Sequence, residues 1–152
     1  MQLLEYRYLK VSFKSKVTWE LETNVLRCNP NFNTKPRYDH ILAATSNGGV
    51  MFTQLLFIFT TSNDNRTDPW VLIHLYDTEV GRPTPLEWDF QLFRIHAKAR
   101  GSSCFIPTKS IIRGVVVIPI YVKDNDYFVF DLLDGDLFMC IRDLWKDRLQ
   151  QS

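Results

Sequence analysis

Residues 38–61, YDHILAATSNGGVMFTQLLFIFTT, decide the fold class. Two apolar runs flank Ser46-Asn47-Gly48-Gly49, a segment whose residues accept the positive φ angles of a tight turn. The pattern predicts an antiparallel hairpin of Tyr38 to Thr45 and Val50 to Thr61. Leu55 to Phe59 is apolar at both strand parities, so the second strand is expected to be covered on both faces or to cross a bend, and to sit centrally in its sheet.

Outward from this hairpin, short segments rich in β-branched and aromatic residues alternate with Asn, Asp, Gly and Pro clusters. On the N-terminal side, Glu5 to Phe13 and Lys16 to Leu21 are expected strands. Read together they place Val11, Phe13, Val17 and Trp19 on one parity and Lys10, Ser12, Lys14 and Lys16 on the other, an apolar and a basic face. Leu26 to Pro36, with two prolines and three asparagines, reads as an irregular connector.

On the C-terminal side, Ser62 to Pro69 is a polar loop, Trp70 to Tyr76 a strand and Asp77 to Pro85 a surface excursion. Phe90 to Ala97 is a strand, Lys98 to Ser103 a turn, and Pro107 to Ser110 one helical turn leading into the strand Ile111 to Ile120. Tyr127 to Leu133 is the last strand. Leu137, Cys140, Ile141, Leu144 and Trp145 then recur at helical spacing and predict a short C-terminal helix. The strand spacing is that of a sandwich or a barrel; the reading is one mainly β domain over residues 1–152, taken as a single partly open β-barrel ending in a helix. Met1 is also compatible with a piece excised from a larger protein.

Composition bounds the function. Hydrophobic residues at 45% against 23% charged describe a folded globule, and a formal net charge of +1 excludes a globally basic nucleic-acid binder while leaving room for a local patch. Cys28, Cys104 and Cys140 are an odd count without close spacing, which suits a reducing compartment, cytoplasmic or nuclear. The most apolar run, Val50 to Phe59, is far short of the roughly 18 residues of a membrane-spanning helix, so no membrane partner is expected.

Candidate chemistry is sparse. His40, His74 and His96 have no second His or Cys at a ligand spacing, and no metal or other cofactor is expected. The acidic run Asp124, Asp126, Asp131, Asp134 and Asp136 is interrupted by Tyr127 to Phe130 and departs from a calcium loop. No phosphate-cradling glycine motif is present. The binding-type features are a basic stripe, Lys10, Lys14 and Lys16 with Lys98 and Arg100, that would suit a phosphate backbone, and Tyr38, Trp70, Tyr76 and Trp88, that would suit a cage for a methylated lysine. A solvated strand face is the commoner explanation of such a stripe. In a chain with 11 Phe, 6 Tyr and 4 Trp, core packing explains most aromatic sets.

Leu26-Arg27-Cys28-Asn29-Pro30 with Pro36-Arg37-Tyr38-Asp39, and Phe105 to Gly114 with Tyr127-Phe128-Val129-Phe130-Asp131, resemble a domain of mushroom-type fungal proteins linked to Plavaka and Kyakuja-Dileera-Zisupton transposons. The similarity runs from about Tyr6 to Ile141. The later half also resembles a bromo-adjacent homology domain, a β-rich chromatin-interaction fold. These resemblances imply a noncatalytic module of a nuclear protein with a protein or chromatin partner. Two alternatives stay open: direct DNA binding through the basic stripe, and an enzyme using Asp39, His40 or His74, which requires a deep pocket gathering at least two of them.

Overall fold

In a computed structural model of the chain, residues 2–61, 69–78, 83–99, 101–130 and 135–150 are described. The 46–49 turn and its hairpin form as expected: β5 (His40–Ala44) pairs antiparallel with β6 (Val50–Thr61), and Gly48 has φ 83°. β6 is central because it serves three strands. Its first half pairs with β5, its second half with β1 (Leu3–Tyr6), and its other edge with β7 (Trp70–Asp77). The expected bend is a register shift between Leu55 and Phe57.

The pairings close on themselves. β5 pairs with β10 (Ile111–Pro119), β10 with β11 (Asp126–Phe130), β11 with β8 (Phe93–Ala97), and β8 with β7, which returns to β6. The β7–β8 seam is the thinnest, holding Tyr76 opposite Ala97 and Asp77 opposite His96. Beyond this ring, β1 and β9 (Ser103–Pro107) flank the far halves of β6 and β7 as a four-stranded wing. A separate sheet of β2 (Tyr8–Lys14), β3 (Leu21–Phe32) and β4 (Lys35–Tyr38) completes the β structure among the described residues.

Two apolar cores follow from strand alternation. Ile41 and Ala43 of β5 point to one, with Leu55, Ile58, Val71 and Ile73; Val11, Leu26 and Cys28 of the three-stranded sheet pack onto it. Leu42 points the other way, to a core holding Phe52, Phe93, Ile95, Val115 and Val129. The helix α2 (Gly135–Gln150) closes this second core with Leu137, Ile141 and Trp145, the stripe expected from the sequence. Each such fully buried side chain contributes roughly 1.5–3 kcal/mol.

Several expectations are corrected. Leu26 to Pro36 is not a connector but most of the β3–β4 hairpin: Asn33 and Thr34, at φ 49° and 72°, form its two-residue turn. Exposed Pro30 sits where the ladder slips between Asn29 and Phe32, so its missing N–H costs no bond there. Glu5 to Phe13 is two strands, since the chain leaves the wing after Tyr6 and enters the three-stranded sheet at Tyr8. Lys16 to Leu21 is mostly a turn. Ser15 Oγ accepts from the Val17 and Thr18 amides, and Trp19 takes φ 64°, leaving Val17 and Trp19 exposed instead of on the apolar face. Asp131 to Leu133, the end of the expected last strand, lies outside the described residues.

The start of the expected strand Phe90 to Ala97 is also revised. Pro85–Phe90 is a helix, α1, with a capping box: Thr84 Oγ1 accepts from the Glu87 amide at 3.3 Å, and the Glu87 carboxylate accepts from the Thr84 amide. Glu87, 3% exposed, also meets Arg94 Nε at 2.6 Å; Arg94 Nη1 donates to Asp126 Oδ2 at 3.2 Å, and His96 Nδ1 bonds Asp126 Oδ1. Burial alone would raise the Asp126 pKa, but the bonds from His96 and Arg94 outweigh it and hold the carboxyl below its usual range.

The turn between β2 and β3 is joined to α2 by a buried polar knot. Ser15, 1% exposed, donates from Oγ to Asp136 Oδ2 at 2.6 Å, and the Lys16 amide donates to Asp136 Oδ1. The Asp136→Ala variant leaves both donors without their carboxylate and is expected to lose about 1–3 kcal/mol of stability. Urea denaturation measures this directly, and an unchanged midpoint would show that the knot contributes nothing.

Candidate functional site

A cleft of about 360 Å³ opens between the three-stranded sheet and the β10–β11 edge of the ring. Asn24, Arg37, Asp39, His40 and Arg113 supply its polar lining, and Val25, Val116, Phe130 and Leu137 its apolar lining. Its width at one point is set by glycine. A Cβ on Gly114 would stand 2.7 Å from Leu26 Cδ2, and the Gly114 amide donates to Asn24 Oδ1 at 3.0 Å, so β10 approaches β3 closely there.

The cleft gathers Asp39 and His40 but not His74. Asp39 is occupied structurally: its carboxylate accepts from the Arg27 amide at 2.7 Å and from Arg37 Nε at 3.0 Å. His40 Nε2 is hydrogen bonded to Tyr76 Oη at 3.0 Å, and burial lowers the His40 pKa to about 4 against a smaller opposing effect of Asp39. Burial, with a further contribution from Tyr127, holds the Tyr76 phenol well above its ordinary range. At neutral pH the pair is an uncharged imidazole and an uncharged phenol. Among the described residues that line the cleft, none carries a hydroxyl, thiol or amine side chain. His74 lies apart, its Nε2 donating to the Lys98 carbonyl at 2.8 Å.

The basic residues separate. Lys10 and Lys14 are exposed on the outer face of β2, as alternation predicts. Lys16 stands in the turn beyond β2 with its Nζ 4.0 Å from Asp143, so an acidic group of α2 offsets its charge. Lys98 follows β8 and its amide donates to Leu75 of β7, placing it beside the ring rather than on the three-stranded sheet. Arg100 lies outside the described residues.

The outer face also carries side chains from the β3–β4 hairpin. Arg27 of β3 lies over the Tyr8 ring at 5.6 Å and over Phe32 at 5.1 Å, and Arg37 of β4 lies over Phe32 at 5.0 Å. The β3–β4 hairpin creates this row. Reading Leu26 to Pro36 as a connector hides it, although Asn33-Thr34 between Phe32 and Lys35 was a local turn signal.

Tyr38, Trp70, Tyr76 and Trp88 are not brought into one cage. Tyr38 packs against the first core, and Tyr76, 7% exposed, is part of the second. Trp70 and Tyr76 are six residues apart on one strand, about 20 Å at ~3.3 Å per residue. Trp88 is on α1, edge-on to Trp145. Trp70 instead joins a different aromatic surface on the wing. Phe59 pairs across the ladder with Trp70, and Trp70 with Pro107; Phe57 pairs with Leu72, and Leu72 with Phe105. Cross-strand partners share a face, so these side chains are contiguous, with Trp70 44% and Phe105 60% exposed.

Among the described residues no group of three or more His, Cys, Asp or Glu is arranged to hold a metal ion, and no helix is long and apolar enough to cross a membrane. Cys28, Cys104 and Cys140 form no disulfide; burial, with Glu5 acting in the same sense, pushes the Cys28 thiol up to about 11. Comparison with protein-family models, curated proteins and solved structures finds no match.

The buried imidazole makes stability depend on pH. His40 has a folded pKa of about 4, below its ordinary 6.5, so between these values the unfolded chain binds a proton that the folded chain does not. Its contribution is complete above pH 6.5, falls as pH is lowered toward 4 and is then lost, on the order of 3 kcal/mol in all. Urea unfolding at pH 7, 5.5 and 4.5 should show this decline, flattened in His40→Gln. An equal slope in that variant would assign the effect elsewhere.

Proposed function

We propose that the chain is a noncatalytic interaction module of a nuclear, transposon-derived protein, and that it docks a protein or chromatin partner on the aromatic face of its wing. The ring of six strands, with its thin β7–β8 seam and α2 over one end, supports reading the architecture as a partly open barrel of the bromo-adjacent homology type. The observation that carries the docking surface is the contiguous row of Phe57, Phe59, Leu72, Trp70 and Phe105. A solvent-facing cluster with two such exposed aromatics resembles the anchors of protein interfaces more than an ordinary surface.

The neighbouring edge suggests the form of the partner. β9 pairs with β7 alone among the described strands, so an extended peptide has an edge to add to while its side chains reach the aromatic row. Pro107 ends the strand and limits such pairing to a short segment. The noncatalytic part of the reading is supported by the Asp39 carboxylate, which already accepts from the Arg27 amide and from Arg37.

A histone-tail peptide array and a pull-down from nuclear extract test this reading when wild type is compared with Phe105→Asp and Trp70→Ala. Peptides retained by the wild type should be lost at least tenfold in both variants while the unfolding midpoints stay close to that of the parent. No retention above background in either assay, or equal retention by the variants, would count against the wing as a docking surface.

A further inference from the structure

We propose that the outer face of the three-stranded sheet binds a single-stranded nucleic acid, with a base stacked on Tyr8 beside the Arg27 guanidinium and phosphates held by Lys10 and Lys14. This face is distinct from the wing, and the proposal stands independently of the protein-docking reading.

Charge complementarity is the first support. The outward positions of β2 and β3 are the even residues 8 to 14 and the odd residues 21 to 29, and none of them is a carboxylate. They carry Lys10, Lys14 and Arg27, and Arg37 joins them across the pair Asn29–Arg37. Asp39 is the nearest acid to Arg37, and its carboxylate is shared with the Arg27 amide. The patch is therefore locally cationic in a chain of net charge +1.

Ring placement is the second support and selects the strandedness. Tyr8 is 53% exposed, and the guanidinium of Arg27 stands between it and Phe32, so flat π-faces and flat cations alternate across the sheet. Single strands offer unstacked base faces to such surfaces, whereas a duplex hides its base faces and offers phosphates and groove edges. The sheet also has suitable dimensions. At ~3.3 Å per residue the seven-residue β2 is about 23 Å long, and Lys10 and Lys14 are about 13 Å apart along it, room for a short run of nucleotides. An acidic peptide would satisfy the lysines but leave the Tyr8 ring without a base partner.

Fluorescence anisotropy with labelled oligothymidylate, a duplex of equal length and polyglutamate tests the proposal over a range of salt. The oligothymidylate should bind most tightly. Lys10→Glu with Lys14→Glu should weaken it at least tenfold; the milder Lys10→Gln with Lys14→Gln should lower the magnitude of the log–log salt slope by about 1.4, or ~0.7 for each lost phosphate contact. Tyr8→Ala should cost roughly tenfold for the single strand and leave duplex binding unchanged. Phe105→Asp should leave oligothymidylate binding unchanged. Wild-type affinity in the lysine variants would overturn the site. Equal binding of all three probes, insensitive to Tyr8→Ala, would overturn the single-strand assignment in favour of a general polyanion contact.

Discussion

One strand carries the architecture. β6 uses both of its edges over twelve residues, exchanging β5 for β1 on one side while β7 follows it on the other. A flat strand would hold all its partners in one sheet. The irregularity between Leu55 and Phe57 adds a residue, turns the strand and lets its first half belong to the ring and its second to the wing. It also reassigns side chains: Phe52 lies in the ring's core, Leu55 and Ile58 in the core beneath the three-stranded sheet, and Phe57 and Phe59 on the wing's outer face. The apolar run at both parities is thus a requirement of topology.

Polar groups hold the ends of this frame where apolar packing alone would be insufficient. An isolated six-residue helix is marginal in water. α1 persists because its capping box satisfies its first amides, its Glu87 meets Arg94, and its Trp88 meets Trp145 of α2. The buried charges of Glu87, Arg94 and Asp126 compensate one another, an arrangement whose value lies less in net energy than in the penalty for any other packing. Ser15 and Asp136 do the same at the opposite joint, tying the β2–β3 turn to the first turn of α2.

Features with a local period were legible in the sequence. The 38–61 hairpin, β10 and the α2 stripe follow from turn chemistry and from periods of 2 and 3.6, and each forms with nearly the expected bounds. α1 also had a local signal, because Thr84-Pro85-Leu86-Glu87 is a capping box with proline at the first helical position. The β3–β4 hairpin was obscured because Pro30 and the asparagines resemble loop residues until the slip in the ladder gives them a place. Lys10 and Lys14 were legible as outward-facing by parity. Arg27, Phe32 and Arg37 were not legible as their neighbours, since their meeting depends on the register of a hairpin that composition argues against. The proposed cage failed for a related reason: parity puts Trp70 and Tyr76 on one face of β7, but their spacing assigns one to the wing's surface and the other to the ring's core.

The two candidate surfaces owe their separation to the first core. Val11, Leu26 and Cys28 point inward from the three-stranded sheet to meet Ile58, Val71 and Ile73 pointing inward from the wing, so the remaining parities of both sheets point away from each other. Packed sheets stand about 10 Å apart. The cation–aromatic row and the wing's aromatic row therefore lie on opposite sides of a two-sheet sandwich, and a ligand on one does not obstruct the other. Their chemistry differs for the same reason. The outer positions of β2 and β3 carry lysine and arginine beside Tyr8, Leu21 and Val25, whereas those of β6, β7 and β9 include Phe57, Phe59, Trp70, Leu72 and Phe105, on a wing whose β9 pairs with β7 alone among the described strands. The two proposed ligands would therefore sit on opposite faces of one shared core, each read by its own set of outward side chains.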